Sequence, residues 1–104
     1  MTIATINPAT GQTLRTFEPL TPAELEARLD CAASAWQRHR RTTFGERRRL
    51  MLKAADLLDS EKEAFGRLMV TEMGKPLKAA IEEAAKSALG CRYYAEHAER
   101  FLAD

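Results

Sequence analysis

The strongest constraint on the fold is a helical pattern that begins at Pro76 and meets no stop signal before the chain ends at Asp104. Roughly 28 residues at about 1.5 Å each give a rod about 42 Å long. A compact domain of 100 residues has a radius of gyration of about 13 Å, and therefore a diameter of about 34 Å. We expect this helix to extend beyond any compact body that the chain alone can form.

Apolar residues lie on more than one side of this long helix. One set shares a side and a second set lies elsewhere: Leu77, Ile81, Ala84, Ala88 and Cys91, and then Ala80, Leu89, Tyr93 and Phe101. A helix that is apolar on several faces needs partners on several faces. We therefore expect the helix of residues 76–103 to be covered by a larger polypeptide or by a second copy of the chain.

Residues 1–20 are predicted to form a β-hairpin. Residues 7–11 (Asn-Pro-Ala-Thr-Gly) are typical of a turn, and β-branched and aromatic residues on both sides favour strands. A two-stranded hairpin is only marginally stable in water, so we expect it to pack on another element.

Three shorter helices are predicted between the hairpin and the long helix. Capping-box patterns at residues 21–24, 43–46 and 60–63 mark their starts; the first is expected to end near Arg38 and the third at Gly74. The apolar residues predicted to face a core are Leu25, Leu29, Ala32 and Trp36, then Leu50, Met51, Ala54, Leu57 and Leu58, then Phe65, Leu68 and Met69. The predicted fold is mainly α: a hairpin (1–20) and a helical layer (21–104) of about four helices, forming one incomplete unit.

Two glycines lie inside predicted helices, Gly66 and Gly90. Each costs about 1 kcal/mol of helix stability relative to alanine. This cost indicates close packing by another element. The indication is stronger at Gly90, since its helix otherwise consists of good helix formers.

Composition indicates a globular chain without a strong charge preference. It is 45% hydrophobic and 30% charged, with 16 basic and 15 acidic residues. An arginine-rich stretch at residues 38–49 would suit phosphate groups, but no aromatic residues interleave with it usefully. We interpret it as a solvated loop and helix start, partly paired with nearby acids, and expect neither nucleic acid nor a membrane as partner.

Residues able to carry out chemistry are few and scattered. Cys31 and Cys91 have no metal-ligand or redox spacing and are predicted to be buried, reduced thiols. His39 and His97 have no metal-ligand arrangement around them, and His97 is expected on a solvated face. No glycine-rich phosphate loop is present. We therefore predict no catalytic residue, no cofactor-binding residue and no metal site.

The cellular location of the protein is predicted from the absence of targeting and membrane-spanning signals. The first residues lack the basic region and apolar run of a signal peptide. No apolar stretch approaches the roughly 18 residues of a membrane span. The sequence therefore favours a cytoplasmic location.

Six short phrases, in this order, resemble the opening segment of NAD(P)-dependent aldehyde dehydrogenases. They are Ile6-Asn7-Pro8-Ala9-Thr10-Gly11-Gln12, Ala35-Trp36, Glu46-Arg47, Ala54-Ala55-Asp56-Leu57-Leu58, Glu72-Met73-Gly74-Lys75-Pro76 and Arg92-Tyr93-Tyr94-Ala95. The resemblance extends over essentially all 104 residues. Within the family, residues 71–77 and 92–104 are most similar to bacterial succinate-semialdehyde dehydrogenases.

The resemblance implies a fold and a reaction. The hairpin and helices would be part of the α/β dinucleotide-binding domain of a longer enzyme that oxidises an aldehyde with NAD or NADP. The family's nucleophilic cysteine, general-base glutamate, oxyanion-hole asparagine and cofactor loop lie beyond this segment, so the chain alone is expected to be inactive and to bind no cofactor. Lys86 and Gly90 match positions beside the family's substrate tunnel.

Two functions remain open on the sequence. In the first, the chain is part of a dehydrogenase and its partner is the remainder of that enzyme. In the second, it is a free-standing helical module that binds a partner or itself through the long helix, without catalysis.

Overall fold

A computed structural model describes residues 2–104, which form a β-hairpin followed by four α-helices. The elements are, in chain order, β1 (Ile3–Ile6), β2 (Thr13–Phe17), α1 (Pro22–His39), α2 (Phe44–Ser60), α3 (Lys62–Met73) and α4 (Leu77–Phe101). The prediction of a mainly α chain with an N-terminal hairpin and a long last helix is confirmed. Within residues 2–104, no helix is both long and apolar enough to cross a membrane.

The hairpin forms where the turn residues predicted it. β1 and β2 pair antiparallel, with Ile3 opposite Phe17. In the turn, the Asn7 carbonyl accepts a hydrogen bond from the Gly11 amide at 2.8 Å, and the Asn7 side chain accepts one from the Ala9 amide at 2.9 Å. Gly11 has φ +72°, a conformation that favours glycine. Local hydrogen bonding thus explains the position of the turn.

Capping boxes start α1 and α2 as predicted. The Thr21 hydroxyl accepts a hydrogen bond from the Glu24 amide at 3.3 Å, while the Glu24 carboxylate accepts one from the Thr21 amide at 2.8 Å. Thr43 and Glu46 repeat the arrangement at 3.2 Å and 2.7 Å. In each box the bond from the threonine amide, and then that from its hydroxyl, lower the pKa of the glutamate below its ordinary value.

The third predicted capping box, at residues 60–63, is wrong. Ser60 is the last residue of α2, and its hydroxyl donates to the Leu57 carbonyl at 3.1 Å. Glu61 separates α2 from α3 and makes no side-chain capping bond. A serine hydroxyl that is bonded back to the preceding turn does not act as the predicted cap.

The end of α3 and the start of α4 lie close to the boundaries predicted from the sequence. Gly74 ends α3 in the left-handed conformation, with φ +70°, and its amide donates to the Val70 carbonyl at 3.0 Å. Pro76 is the N-cap of α4, so that helix begins at Leu77, one residue later than predicted. The hairpin approaches the helices here, since Pro8 lies next to Gly74.

Small residues make the contact between α4 and the two helices that pack on it, α2 and α3. The fully buried residues among 2–104 are all alanine or glycine: Ala55, Gly66, Ala80, Ala84 and Ala88. Ala80, Ala84 and Ala88 recur every fourth residue and form one stripe along α4, because residues four apart share a helix face. The prediction that Ala80 lies apart from the side of Ala84 and Ala88 is therefore wrong. The helices can therefore approach closely, and larger apolar side chains lie around the contact rather than within it.

The predicted buried face of α2 is largely wrong. Leu50 and Leu57 are half exposed, whereas Ala55 is buried, with Leu52 and Leu58 partly buried beside it. Apolar residues occupy most positions in this part of α2, so periodicity alone does not select one face. Contact with the alanine stripe of α4 selects it.

Close packing at the helical glycines occurs at Gly66 and not at Gly90. A Cβ atom on Gly66 would stand 2.7 Å from Ile81 Cγ1 and 3.1 Å from the Ile81 backbone nitrogen. The prediction for Gly66 is confirmed. At Gly90 no atom of the described residues lies within 4 Å of such a Cβ. The stronger packing predicted there is absent within this part of the chain.

Helix α1 projects away from the other helices. None of its residues is buried, and Leu25, Leu29 and Trp36 are 50%, 55% and 55% exposed. The Cα radius of gyration is 18.0 Å, compared with about 13 Å for a compact chain of this length. The prediction that this apolar stripe belongs to an ordinary core of the chain is wrong.

Substituting alanine at the two helical glycines should have opposite effects. Gly66→Ala is expected to lower the free energy of unfolding by about 1–3 kcal/mol, because its Cβ overpacks against Ile81. The matched control Gly90→Ala should leave it unchanged or raise it by up to about 1 kcal/mol, because alanine is the better helix former. Urea unfolding followed by circular dichroism measures both, and equal effects would contradict this packing.

Acid should weaken the starts of α1 and α2. Because the pKa values of Glu24 and Glu46 are lowered on folding, their stabilisation is present above the unfolded-state pKa of about 4.3. It is lost as pH falls through the lower folded-state pKa. The helical circular dichroism signal of a Glu24→Gln/Glu46→Gln variant should therefore depend less on acid than that of the parent chain. Identical acid transitions would count against the capping role.

Candidate functional site

The two residues predicted beside a substrate tunnel lie together on the outer side of α4. Lys86 is exposed and Gly90 is half-buried. Since they are four residues apart, they share a helix face. That face is opposite the alanine stripe, because Lys86 lies two positions from both Ala84 and Ala88. Because α2 and α3 pack on the alanine side of α4, the opposite side, with Lys86 and Gly90, is open to another partner.

Lys86 has acidic neighbours. It lines an open depression on α4 together with Glu82, Glu83 and Ser87. Glu83 is paired with Lys75, and its carbonyl accepts a hydrogen bond from the Ser87 hydroxyl at 2.9 Å. The negative charge of Glu83 is thus partly compensated by Lys75, whereas Lys86 and Glu82 form no ion pair within residues 2–104.

Three stacked rings follow Lys86 on this side of α4. The Tyr93 and His97 ring centroids are 4.4 Å apart, and those of His97 and Phe101 are 5.9 Å apart. His97 Nδ1 lies 2.7 Å from the Tyr93 carbonyl oxygen. Because a carbonyl only accepts, Nδ1 carries the proton in this hydrogen bond. His97 thus lies on the outward side of α4 and is half-buried, because the rings of Tyr93 and Phe101 stack on it.

An ion pair between α4 and α2 helps to set which side of α4 is turned outward. Arg92 donates a hydrogen bond to the Asp56 carboxylate at 2.6 Å, and its second terminal nitrogen lies 4.0 Å from Asp59. The bond to Asp56 is the main cause that raises the pKa of Arg92 above its ordinary value, so Arg92 stays charged. With Arg92 turned toward α2, the neighbouring Tyr93 is left half exposed.

Neither cysteine is positioned as a nucleophile or a ligand by its neighbours. Cys31 is exposed on α1, and Cys91 is half-buried on α4. The predicted burial of Cys31 is wrong, because α1 packs on no other helix. No cluster of three or more His, Cys, Asp or Glu residues suited to a metal occurs in residues 2–104. The absence of catalytic and metal-binding residues from the chain remains a prediction.

A groove between the start of α2 and the end of α4 was missed by the sequence analysis. Its volume is about 260 Å³. Its main lining residues are Phe44, Arg47, Arg48, Met51, Tyr94, Glu96, Glu99 and Leu102. No local pattern could have revealed it, since it exists only because α2 packs on α4.

The groove does not fit a nicotinamide dinucleotide. Pockets for ligands of drug size have volumes of about 300–1,000 Å³, and a dinucleotide is a large example. Arg47 and Arg48 line the groove together with Glu96 and Glu99, so its charges do not decide for or against a pyrophosphate. Within residues 2–104, this groove by itself is therefore too small for a dinucleotide.

One arginine of the basic stretch ties down the connection between α1 and α2. Arg47 Nε donates to the Thr42 hydroxyl at 2.9 Å, and Nη2 lies 3.3 Å from the carbonyl oxygens of both His39 and Arg40. None of the arginines at 38–49 has a carboxylate within ion-pair distance among residues 2–104. The predicted acidic partners are thus not found here, and the role of Arg47 is to bind backbone carbonyls.

The comparison with known proteins defines the family. Residues 1–104 match the aldehyde dehydrogenase family along their whole length. This chain belongs to that family, as its ordered phrases indicated.

Individual relatives support the same family assignment. The chain is 52% identical over 102 residues to an aldehyde dehydrogenase of Paenarthrobacter nicotinovorans, covering 98% of the chain and 22% of the relative. It is 49% identical over 104 residues to the succinate-semialdehyde dehydrogenase [NADP(+)] of Mycobacterium leprae, covering 100% and 23%. The solved structure of Gox0499 superposes with a TM-score of 0.94 at 35% identity, covering 99% and 23%. The chain thus spans less than a quarter of these relatives and corresponds to their N-terminal part.

Proposed function

We propose that this chain is the N-terminal part of an NADP-dependent aldehyde dehydrogenase that oxidises succinate semialdehyde to succinate. The observation that supports this most is the 49% identity, over all 104 residues, to the Mycobacterium leprae enzyme of that name. Residues 1–104 then form one incomplete unit of the dinucleotide-binding domain. The cofactor, when bound, accepts a hydride from the substrate.

The chain's part in this function is to shape and hold one side of the enzyme, and by itself it is inactive. The alanine stripe and the Arg92–Asp56 pair hold α4 against its neighbouring helices. The outer face of α4 is then presented to the rest of the polypeptide. The thiol, base and cofactor contacts that the reaction requires come from that remainder.

Lys86 is the residue of this chain that we assign to the substrate. Its ammonium group is exposed and forms no ion pair within residues 2–104. We assign it the role of attracting the carboxylate of succinate semialdehyde at the entrance of the tunnel. Gly90, which has open space around it, would allow substrate or a neighbouring segment to approach the helix backbone.

The native product tests the proposal directly. An antibody raised against the 104-residue chain should recover, from the cells that make it, a protein several times heavier than 11.7 kDa. That protein should form NADPH when supplied with succinate semialdehyde. A product of 11.7 kDa would overturn the proposal in favour of a free-standing module. A heavier product that reduces NADP only with other aldehydes would overturn the assignment of succinate semialdehyde as the substrate. Cell fractionation with the same antibody tests the predicted cytoplasmic location.

A chimeric enzyme tests Lys86. It joins these 104 residues to the part of the Mycobacterium leprae enzyme that follows the matched segment. Lys86→Met should raise KM for succinate semialdehyde by about two- to five-fold, as expected for an exposed charge pair, and should leave KM for butanal unchanged. Lys78→Met, at another exposed lysine of α4, is the matched control. Equal changes for both aldehydes would remove Lys86 from substrate recognition.

A further inference from the structure

The apolar stripe of α1 lacks a partner within the described chain. Leu25, Leu29 and Trp36 share one side of the helix and are each at least half exposed. No contact between α1 and another helix or strand appears among residues 2–104. An amphipathic helix normally buries such a stripe, so this surface, which we call the α1 stripe, requires a cover.

The position of α1 is held by hydrogen bonds rather than by apolar packing. Arg47 binds the carbonyls of His39 and Arg40, and the Thr42 hydroxyl donates to the His39 carbonyl at 2.7 Å. The following helix starts at once with the Thr43 capping box. Because the connection is tied at several points, α1 is held projecting with its stripe available.

The same projection is found in a much longer protein. The Gox0499 structure matches 99% of this chain with a TM-score of 0.94, while the match covers 23% of that protein. Coverage of 99% includes α1. The helix thus keeps its place when more than three quarters of a longer polypeptide is also present, so that polypeptide does not act by folding α1 back onto α2 and α4.

The available area argues against a second copy as the cover. An 18-residue helix is about 27 Å long and about 10 Å wide, which gives roughly 270 Å² of stripe. A stable interface between separate proteins buries about 800 Å² on each side. Within one polypeptide the contact can be this small, because the chain already holds the partners together.

We propose that the α1 stripe is the docking surface for the portion of the same polypeptide that follows residue 104. This rests on the proposed function only in requiring such a portion to exist. Leu29 lies at the centre of the contact, and Trp36 is its aromatic anchor near the end of the helix. The hydrogen bonds of Arg47 to the connection between α1 and α2 orient α1 in the absence of the partner.

Thiol accessibility in the chimeric enzyme tests the docking surface. Leu29→Cys places a thiol at the centre of the stripe, and the control Ser34→Cys places one on the opposite side of α1. We expect alkylation, read peptide by peptide by mass spectrometry, to be at least tenfold slower for Leu29→Cys than for Ser34→Cys. In the 104-residue chain alone, both thiols should react at similar rates.

The possible outcomes separate this inference from the proposed function. Equal alkylation rates in a chimera that still forms NADPH would overturn the docking surface and leave the proposed function standing. Protection of Leu29→Cys in the 104-residue chain alone, increasing with concentration, would assign the stripe to a second copy and also overturn the inference. An inactive chimera with the tenfold protection would support docking while counting against the proposed activity.

Discussion

The contact between the alanine stripe of α4 and the facing sides of α2 and α3 is the interaction on which the rest of the structure depends. Ala80, Ala84 and Ala88 remove side-chain bulk from one face of the long helix, and Gly66 lets α3 reach the backbone at Ile81. Close approach of helices gives many weak contacts that add up. It also directs the larger apolar side chains of the three helices away from their common axis. The positions of the outward-facing residues of α2, α3 and α4 follow from this contact.

This arrangement leaves two surfaces of the chain without a partner among residues 2–104. The outer face of α4, with Lys86, Gly90 and the stacked rings that begin at Tyr93, is turned away from α2 and α3, and α1 is held apart by the Arg47 connection. Both surfaces are apolar enough to need a cover. The relatives that the chain matches are more than four times longer, because it covers only 22–23% of their length. Exposed apolar surface of this extent fits a chain that spans less than a quarter of the length of these relatives.

Individual residues show which features could be predicted from neighbouring residues and which depend on tertiary packing. Thr21 with Glu24 and Gly74 were predicted correctly, because capping and positive φ depend on neighbours within a few residues. Ser60 was predicted wrongly, since its hydroxyl had two possible backbone partners and bonded to the preceding turn. Lys86 could be picked out only by family resemblance, because its surroundings within the chain are those of an ordinary surface lysine.

The sequence by itself determined the order and type of the elements, the helix starts at Thr21 and Thr43, and the need for partners on more than one side of α4. These follow from propensity, capping and periodicity, which act over a few residues. Only the tertiary structure decided which face of α2 is buried, that Gly66 and not Gly90 is the close contact, and that α1 stands apart. The physical reason is that each depends on how close two distant helices approach, and the residues that set that distance are small, common and unremarkable in any local pattern.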